Sequence, residues 1–338
     1  MRQRKGASAA ADPYVNGKGS MKISVVGAGG NVGASAALAL AQRDFAQEVV
    51  AIDLEVNRDD RTFNPAKGRA LDQWQTAPIH LFDTRVHGTT DYAATRDSDI
   101  CIITAGVPRR PGMSRDDLLS TNAEIVRPVA EKLAHYSPGT ILIVVSNPLD
   151  AMTYVAYRAS GLPAERVMGM AGLLDTARFR TFLAEELEVS PKDVQAQILG
   201  GHGDTMVPLP RYTTVAGIPV TQLISPEKLD AIIERTKFGG GEFVGIMGTS
   251  AWYAPGAAAA QMAEAIALDQ NRIFPCAAWL TGQYGLNDLF VGVPVKLGKG
   301  GIKQILELEL DADEKALLET SAQDVRRSFE DLGRLMQF

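Results

Sequence analysis

Two arginines six residues apart, Arg109 and Arg115, lie in the run Gly106 to Arg115, read G-V-P-R-R-P-G-M-S-R. Pro108, Pro111 and Gly112 hold this run open. A guanidinium is always charged, and its planar fork of donors matches a carboxylate. Two such forks, with a third elsewhere, suit a small dicarboxylic acid. A candidate base stands in Gly200-Gly201-His202-Gly203-Asp204, where His202 is one of only four histidines. The others, His80, His87 and His135, read as surface residues in loop-like or helix-end contexts. Flanking glycines leave His202 open to a ligand, and imidazole exchanges a proton near neutral pH.

Asp175 and Arg178 are three apart in L-D-T-A-R, so a helix turns both to one side. By spacing alone the pair reads first as an intrahelical ion pair. Asn147, in Ser146-Asn147-Pro148, directly follows a buried apolar run. Strand ends of this kind form the ligand crevice of open α/β sheets.

Anions can be gripped without side chains. Gly27-Ala28-Gly29-Gly30-Asn31-Val32-Gly33 closes one apolar run and opens an alanine-rich segment. Glycines there permit a tight turn and let a pyrophosphate approach a helix N-terminus, where free N–H groups favour negative charge. With Val at position 32 the text reads G-x-x-G-x-x-G over Gly27, Gly30 and Gly33. Such a cluster is weak alone, because many are plain turns. Asp53 strengthens it, ending the next apolar run twenty residues after Gly33, where a carboxylate can accept from ribose hydroxyls. A 2'-phosphate would meet that carboxylate, so NAD is favoured over NADP.

The elements that must hold these groups follow from pattern. Residues 22–27, a helix from Val32 to Arg43 and the run Glu48 to Asp53 make a strand–helix–strand unit within about 30 residues. Runs at 100–104 and 141–145 repeat the strand theme without alternation, as expected where helices cover both faces. A helix spans about Ser114 to His135, opened by a Ser114–Asp117 capping box and kinked at Pro128. Asp175 to Glu188 is amphipathic, and residues 194–223 read as strands with turns. Gly239-Gly240-Gly241 predicts a flexible break between two helices, and Pro255-Gly256 a bend. The last helix aligns Leu318, Ala322, Val325, Phe329 and Leu332 on one face. The fold class is α/β, a Rossmann-type doubly wound parallel sheet followed by a C-terminal α+β substrate and catalytic domain. Boundaries are placed at 1–20 for a tail, 21–165 for the nucleotide-binding domain and 166–338 for the catalytic domain.

The 338 residues, 46% hydrophobic and 22% charged, suffice for two core-bearing units. A net charge of -6 argues against a general nucleic-acid binder. No stretch approaches the roughly 20 apolar residues that cross a bilayer, so no membrane partner is expected. Only Cys101 and Cys276 occur, too few for a disulfide framework, and a reducing compartment, the cytoplasm, is expected. No metal site is expected. Residues 1–20 have basic residues but no apolar centre. They read as a disordered tail or an upstream start before Met21, with a short transit peptide as the alternative.

T-A-G-V-P-R-R-P-G-M-S-R-D-D-L-L, V-V-S-N-P-L-D, G-L-L-D-T-A-R-F-R and G-G-H-G-D, with the glycine loop, resemble the lactate/malate dehydrogenase family. The likeness runs from about Met21 to near the C-terminus, and is strongest to the malate-specific branch of the lactate-dehydrogenase-like type. The resemblance implies that His202 takes the C2 hydroxyl proton while hydride passes to NAD, and that Asp175 orients His202. It implies that Arg178 holds the C1 carboxylate, that Arg115 closes over the substrate and polarises the C2 oxygen, and that Asn147 hydrogen-bonds that oxygen. Arg109 stands at the specificity position and would hold the distal carboxylate of malate or oxaloacetate; a lactate dehydrogenase typically carries an uncharged Gln there. Cofactor contacts are expected from Gly27, Gly29, Gly30, Asn31, Val32, Gly33, Asp53, Asn122, Val145, Ser146 and Asn147. A homo-oligomer is implied, tetramer before dimer. A dinucleotide-binding protein without turnover would be expected to have lost His202, Asp175 or Arg115, and all three are present.

Two departures stand out. The glycine loop is one residue longer than the G-x-G-x-x-G common in this branch. Val56 to Phe63 looks like extra loop beyond Asp53, either a surface excursion or a contact to the cofactor or a neighbouring subunit.

Overall fold

The computed structural model describes residues 21–108 and 114–336. Strands β1 (Lys22–Val26) and β2 (Glu48–Ile52) flank helix α1 (Asn31–Arg43). A hairpin of β3 (Val56–Arg58) and β4 (Arg61–Phe63) follows, then α2 (Pro65–Gln75), α3 (Ala77–His80) and β5 (Arg85–Thr89). The expected extra loop is therefore this hairpin, turned at Asp59 and Asp60, which both take positive φ. Next come β6 (Ile100–Ile103), α4 (Arg115–Tyr136), β7 (Ile141–Val144), α5 (Leu149–Ser160) and β8 (Val167–Gly169). The second half opens on α6 (Gly172–Leu187). Five two-residue strands follow: β9 (Val194–Gln195), β10 (Ile198–Leu199), β11 (Val207–Pro208), β12 (Thr214–Val215) and β13 (Ile218–Pro219). Helices α7 (Pro226–Met247) and α8 (Tyr253–Ala267), strands β14 (Arg272–Thr281), β15 (Asn287–Gly298) and β16 (Gly301–Ile305), and α9 (Ala312–Met336) complete the order.

One sheet carries nine strands in the order β16-β15-β14-β8-β7-β6-β1-β2-β5. From β5 to β8 all neighbours are parallel; β14, β15 and β16 continue the sheet antiparallel. The doubly wound α/β sheet is thus present, and chain order reverses between β1 and β6, the switch point where such folds bind ligands. The parallel strands lack alternation because each face is covered. Ile100, Ile102, Ile141 and Ile143 join the core beneath α1 and α8, while Cys101, Ile103, Leu142 and Val144 join that beneath α4, α5 and α9. Phe179, Leu183, Val194, Ile198 and Met206 form a third, smaller core under α6 and α7.

Local signals explain several element ends. Ser114 Oγ accepts the Asp117 N–H and Asp117 Oδ2 accepts the Ser114 N–H, both at 3.0 Å, which is the expected capping box. Leu318, Ala322, Val325 and Leu332 of α9 are buried as their spacing requires, with Phe329 packed beside them.

Three expectations need correction. Helix α7 runs unbroken through Gly239–Gly241 and ends instead at Gly248, in a left-handed C-cap. Glycine at 239 makes room, since a Cβ there would lie 3.2 Å from Arg178 Cδ. Pro255 falls in the first turn of α8, where its missing N–H has no intrahelical partner to lose, so it marks a start and not a bend. His87, half-buried in β5, pairs through Nδ1 with Glu48 Oε1 at 3.1 Å and is no idle surface residue.

Candidate active site

The glycine turn at 27–33 joins β1 to α1 at the switch point. Gly27 takes φ +89°, and a Cβ on it would lie 2.6 Å from Thr104 Oγ1. A Cβ on Gly33 would lie 2.4 Å from Gly27 O, so helix and strand approach as only glycine allows. The N-cap Gly30 offers no side chain to the first-turn N–H groups, and no acid occupies that turn. Those donors, with the positive end of the helix, fit a pyrophosphate. Asp53 Oδ2 accepts the Gly29 N–H at 2.8 Å and its Oδ1 the Leu54 N–H at 2.8 Å. Each carboxylate oxygen keeps a lone pair for a ribose hydroxyl. Asn31 Oδ1 accepts from Arg69 Nη2 of α2 at 2.9 Å, while Val32 lines the main cavity. The residues present therefore fit NAD.

Beyond β6 and β7, the strand-end loops are tied together. The Val145 N–H donates to Ile103 O at 2.8 Å, and Ser146 Oγ to Ala105 O at 2.6 Å. Asn122, 1% exposed on α4, accepts the Val107 N–H at 2.8 Å and donates through Nδ2 to Asn147 O at 2.6 Å. Its amide is thus spent on two loops, which places it as a clasp behind the cofactor cleft. Asn147 is exposed and lines the cavity with Val145.

That cavity, of about 800 Å³, joins the cofactor cleft to the second half of the chain. His202, Arg178 and Asn147 all line it, with Met170, Leu174 and Met206 as apolar wall and Arg235, Lys237, Glu242, Ser250 and Pro255 from α7, α8 and their connection. Asp175, 2% exposed near the start of α6, places Oδ2 2.8 Å from His202 Nδ1. Its Oδ1 accepts from Arg178 Nη1 at 3.1 Å. The intrahelical ion pair therefore exists, and the same carboxylate also holds the histidine. Arg178 Nε is buried without a hydrogen-bond partner among the described residues, on the side where the arginine packs toward Gly239 of α7. Burial disfavours the charged imidazolium of His202, but the Asp175 carboxylate, its hydrogen bond and the Asp150 carboxylate outweigh it and hold the pKa above the ordinary value.

Asp150 was not among the sequence candidates. It is the second residue of α5, and its Oδ2 accepts the His202 N–H at 2.9 Å. Burial, with the Asp175 charge, pushes its carboxyl up to about 6, although the His202 N–H and charge pull it back. The signal lay in V-V-S-N-P-L-D, whose last residue sits among apolar neighbours. The glycines around His202 also do more than leave it open. Gly200 takes φ +90° and exchanges two backbone bonds with Gly292 of β15, at 2.9 and 3.0 Å. The Gly201 N–H donates to Ser321 Oγ of α9 at 2.8 Å, while only Gly203 has open space around its Cα. Arg109 lies outside the described residues. Arg115 is the first residue of α4, bordering the same loop, and nothing is described of its side chain.

The model of the lactate/malate dehydrogenase NAD binding domain matches residues 21–169, and that of the lactate/malate dehydrogenase alpha/beta C-terminal domain matches 173–334. Malate dehydrogenase of Salinibacter ruber is 62% identical over 315 residues, covering 93% of this chain and 98% of that protein. Malate dehydrogenase of Cytophaga hutchinsonii is 58% identical over 318 residues, 94% and 99% of the two chains. The solved structure of the Salinibacter ruber enzyme superposes with TM-score 0.88 at 59% identity, covering 94% of this chain and 99% of that one. The chain belongs to the lactate/malate dehydrogenase family.

Proposed function

We propose that this chain catalyses the reversible oxidation of (S)-malate to oxaloacetate with NAD. The observation that carries the reading is His202 and Arg178 on one cavity wall, both held by the Asp175 carboxylate buried behind them, at the end of a nucleotide-binding sheet. When bound, NAD supplies the nicotinamide that takes hydride from C2. His202 accepts the C2 hydroxyl proton in oxidation and returns it in reduction. Asp175 fixes the Nδ1–H tautomer, leaving Nε2 for the substrate, and its charge stabilises the imidazolium. Arg178, steadied by Asp175, holds the C1 carboxylate, and Asn147 hydrogen-bonds the C2 oxygen. Arg115 polarises that oxygen as charge develops on it. Arg109 pairs with the distal carboxylate, because a second carboxylate buried without a partner is costly and so is a buried arginine. The glycine turn, Asp53, Asn122 and the 145–147 strand end serve the cofactor.

We divide the chain near residues 165–166 into nucleotide-binding and catalytic parts. Exposed apolar side chains along α2, α3 and its C-cap, among them Leu71, Ile79 (75% exposed) and Leu81 (84%), support assembly into a homo-oligomer, and the family resemblance favours a tetramer over a dimer. Among the described residues no helix is long and apolar enough to cross a membrane. Cys101 and Cys276 are buried free thiols, which supports a reducing, cytoplasmic setting. Steady-state rates on oxaloacetate and pyruvate, each with NADH and NADPH, test the function. Oxaloacetate with NADH should dominate; a preference for pyruvate would overturn the substrate.

A further inference from the structure

We propose that Asp150 is a positioning residue for proton transfer, a second carboxylate that acts through the main chain of His202 while Asp175 acts through its ring. The proposal rests on the reading of His202 as proton carrier. Asp150 is 9% exposed, and Oδ2 meets the His202 N–H at 2.9 Å. Room for this contact is made by Gly201, where a Cβ would lie 3.1 Å from the same oxygen.

The His202 loop is already fastened by neutral groups, Ser321 Oγ to the Gly201 N–H and Gly292 to Gly200. A neutral acceptor at position 150 would satisfy the His202 N–H equally well. A carboxylate instead brings a charge that burial makes expensive. What the charge adds is an electrostatic hold on the imidazolium. His202 faces Asp150 from α5 and Asp175 and Arg178 from α6. Asp204 and, across the cavity, Arg235, Lys237 and Glu242 complete its charged surroundings. Asp150 in turn faces His202 and Asp175. The two carboxylates outnumber Arg178 by one negative charge, which the imidazolium neutralises. Asp150 thereby raises the basicity of His202 and fixes the main chain from which its ring reaches the substrate.

Asp150→Asn keeps the size and an acceptor for the His202 N–H but removes the charge. The alkaline limb of kcat/KM for oxaloacetate reduction reports loss of the His202 proton. In the variant it is expected to move to lower pH by roughly half to one unit. Ser321→Ala loosens the same loop without changing charge, so it should lower the rate and leave the limb in place. An unmoved limb in Asp150→Asn, or an equal shift in Ser321→Ala, overturns the proposal. His202→Asn separates the two readings: full turnover there would sink the proton-carrier assignment itself. Should Asp150→Asn not fold, ring-carbon NMR of labelled wild-type enzyme replaces it, the His202 signal being assigned by its loss in His202→Asn. The His202 signal should then show a second inflection near the Asp150 titration, and a single-step curve overturns the proposal.

Discussion

His202 Nδ1 and Asp175 Oδ2 meet at 2.8 Å, while the second oxygen of that carboxylate takes Arg178 at 3.1 Å. One buried side chain thus orders both the base and the fork proposed to hold the substrate. In Asp175→Asn the amide can donate to Nδ1 and impose the other tautomer, and the negative charge is gone. Turnover is expected to fall roughly 10²- to 10⁴-fold, and the KM for oxaloacetate to rise because Arg178 loses its brace. NADH oxidation rates would show both changes, and a loss below about tenfold would contradict the relay.

The same environment links the site to stability. His202 binds its proton more tightly in the folded chain than in the unfolded one. Its contribution is therefore full below the unfolded value, roughly 6.5, and is lost as pH rises through the higher folded value. Thermal unfolding of wild type and His202→Gln should show the largest wild-type advantage at the acid end of this window, narrowing as pH rises. A gap that widens with pH reverses the sign and refutes the linkage.

Arg109→Gln removes the charge proposed for the distal carboxylate. Reduction of oxaloacetate should drop by roughly a hundredfold or more in kcat/KM, while relative activity on pyruvate rises. An unchanged ratio of the two rates would remove Arg109 from the specificity role.

Asp53→Ser shortens the acceptor at the end of β2 and frees the Gly29 N–H. NADH affinity should weaken by roughly tenfold, and discrimination against NADPH should shrink, because no carboxylate then opposes a 2'-phosphate. Fluorescence titration with both nucleotides measures this. Undiminished rejection of NADPH would mean that other groups set the cofactor choice.

Much of the fold and site was legible where one local rule acts alone. The glycine turn, Asp53 at a strand end and the Ser114 capping box need only neighbours in sequence to be recognised. Asp175 and Arg178 were visible as a pair, but spacing cannot tell that Asp175 has a second partner 27 residues away. Asp150 escaped because an acid in the first turn of a helix reads as a dipole partner. Only tertiary packing brings it to a main-chain N–H 52 residues on. The break expected at 239–241 is absent, and Gly200 and Gly201 do more than open the loop, for one reason: glycine can signal flexibility or close approach, and sequence does not show what approaches Gly239, Gly200 or Gly201. In the structure it is Arg178 in one case, and Ser321, Val325 and Asp150 in the other.

The pairing of Ala277 in β14 with Gly169 in β8 has a mechanical consequence. It stitches the antiparallel strands of the second half to the edge of the parallel ones, so hydrogen-bonded backbone runs across the whole molecule. A swing of one half against the other would have to break that seam and part the cores beneath it. The catalytic wall is therefore carried on the same plate as the nucleotide cleft, and their separation is set when the chain folds rather than when a ligand arrives.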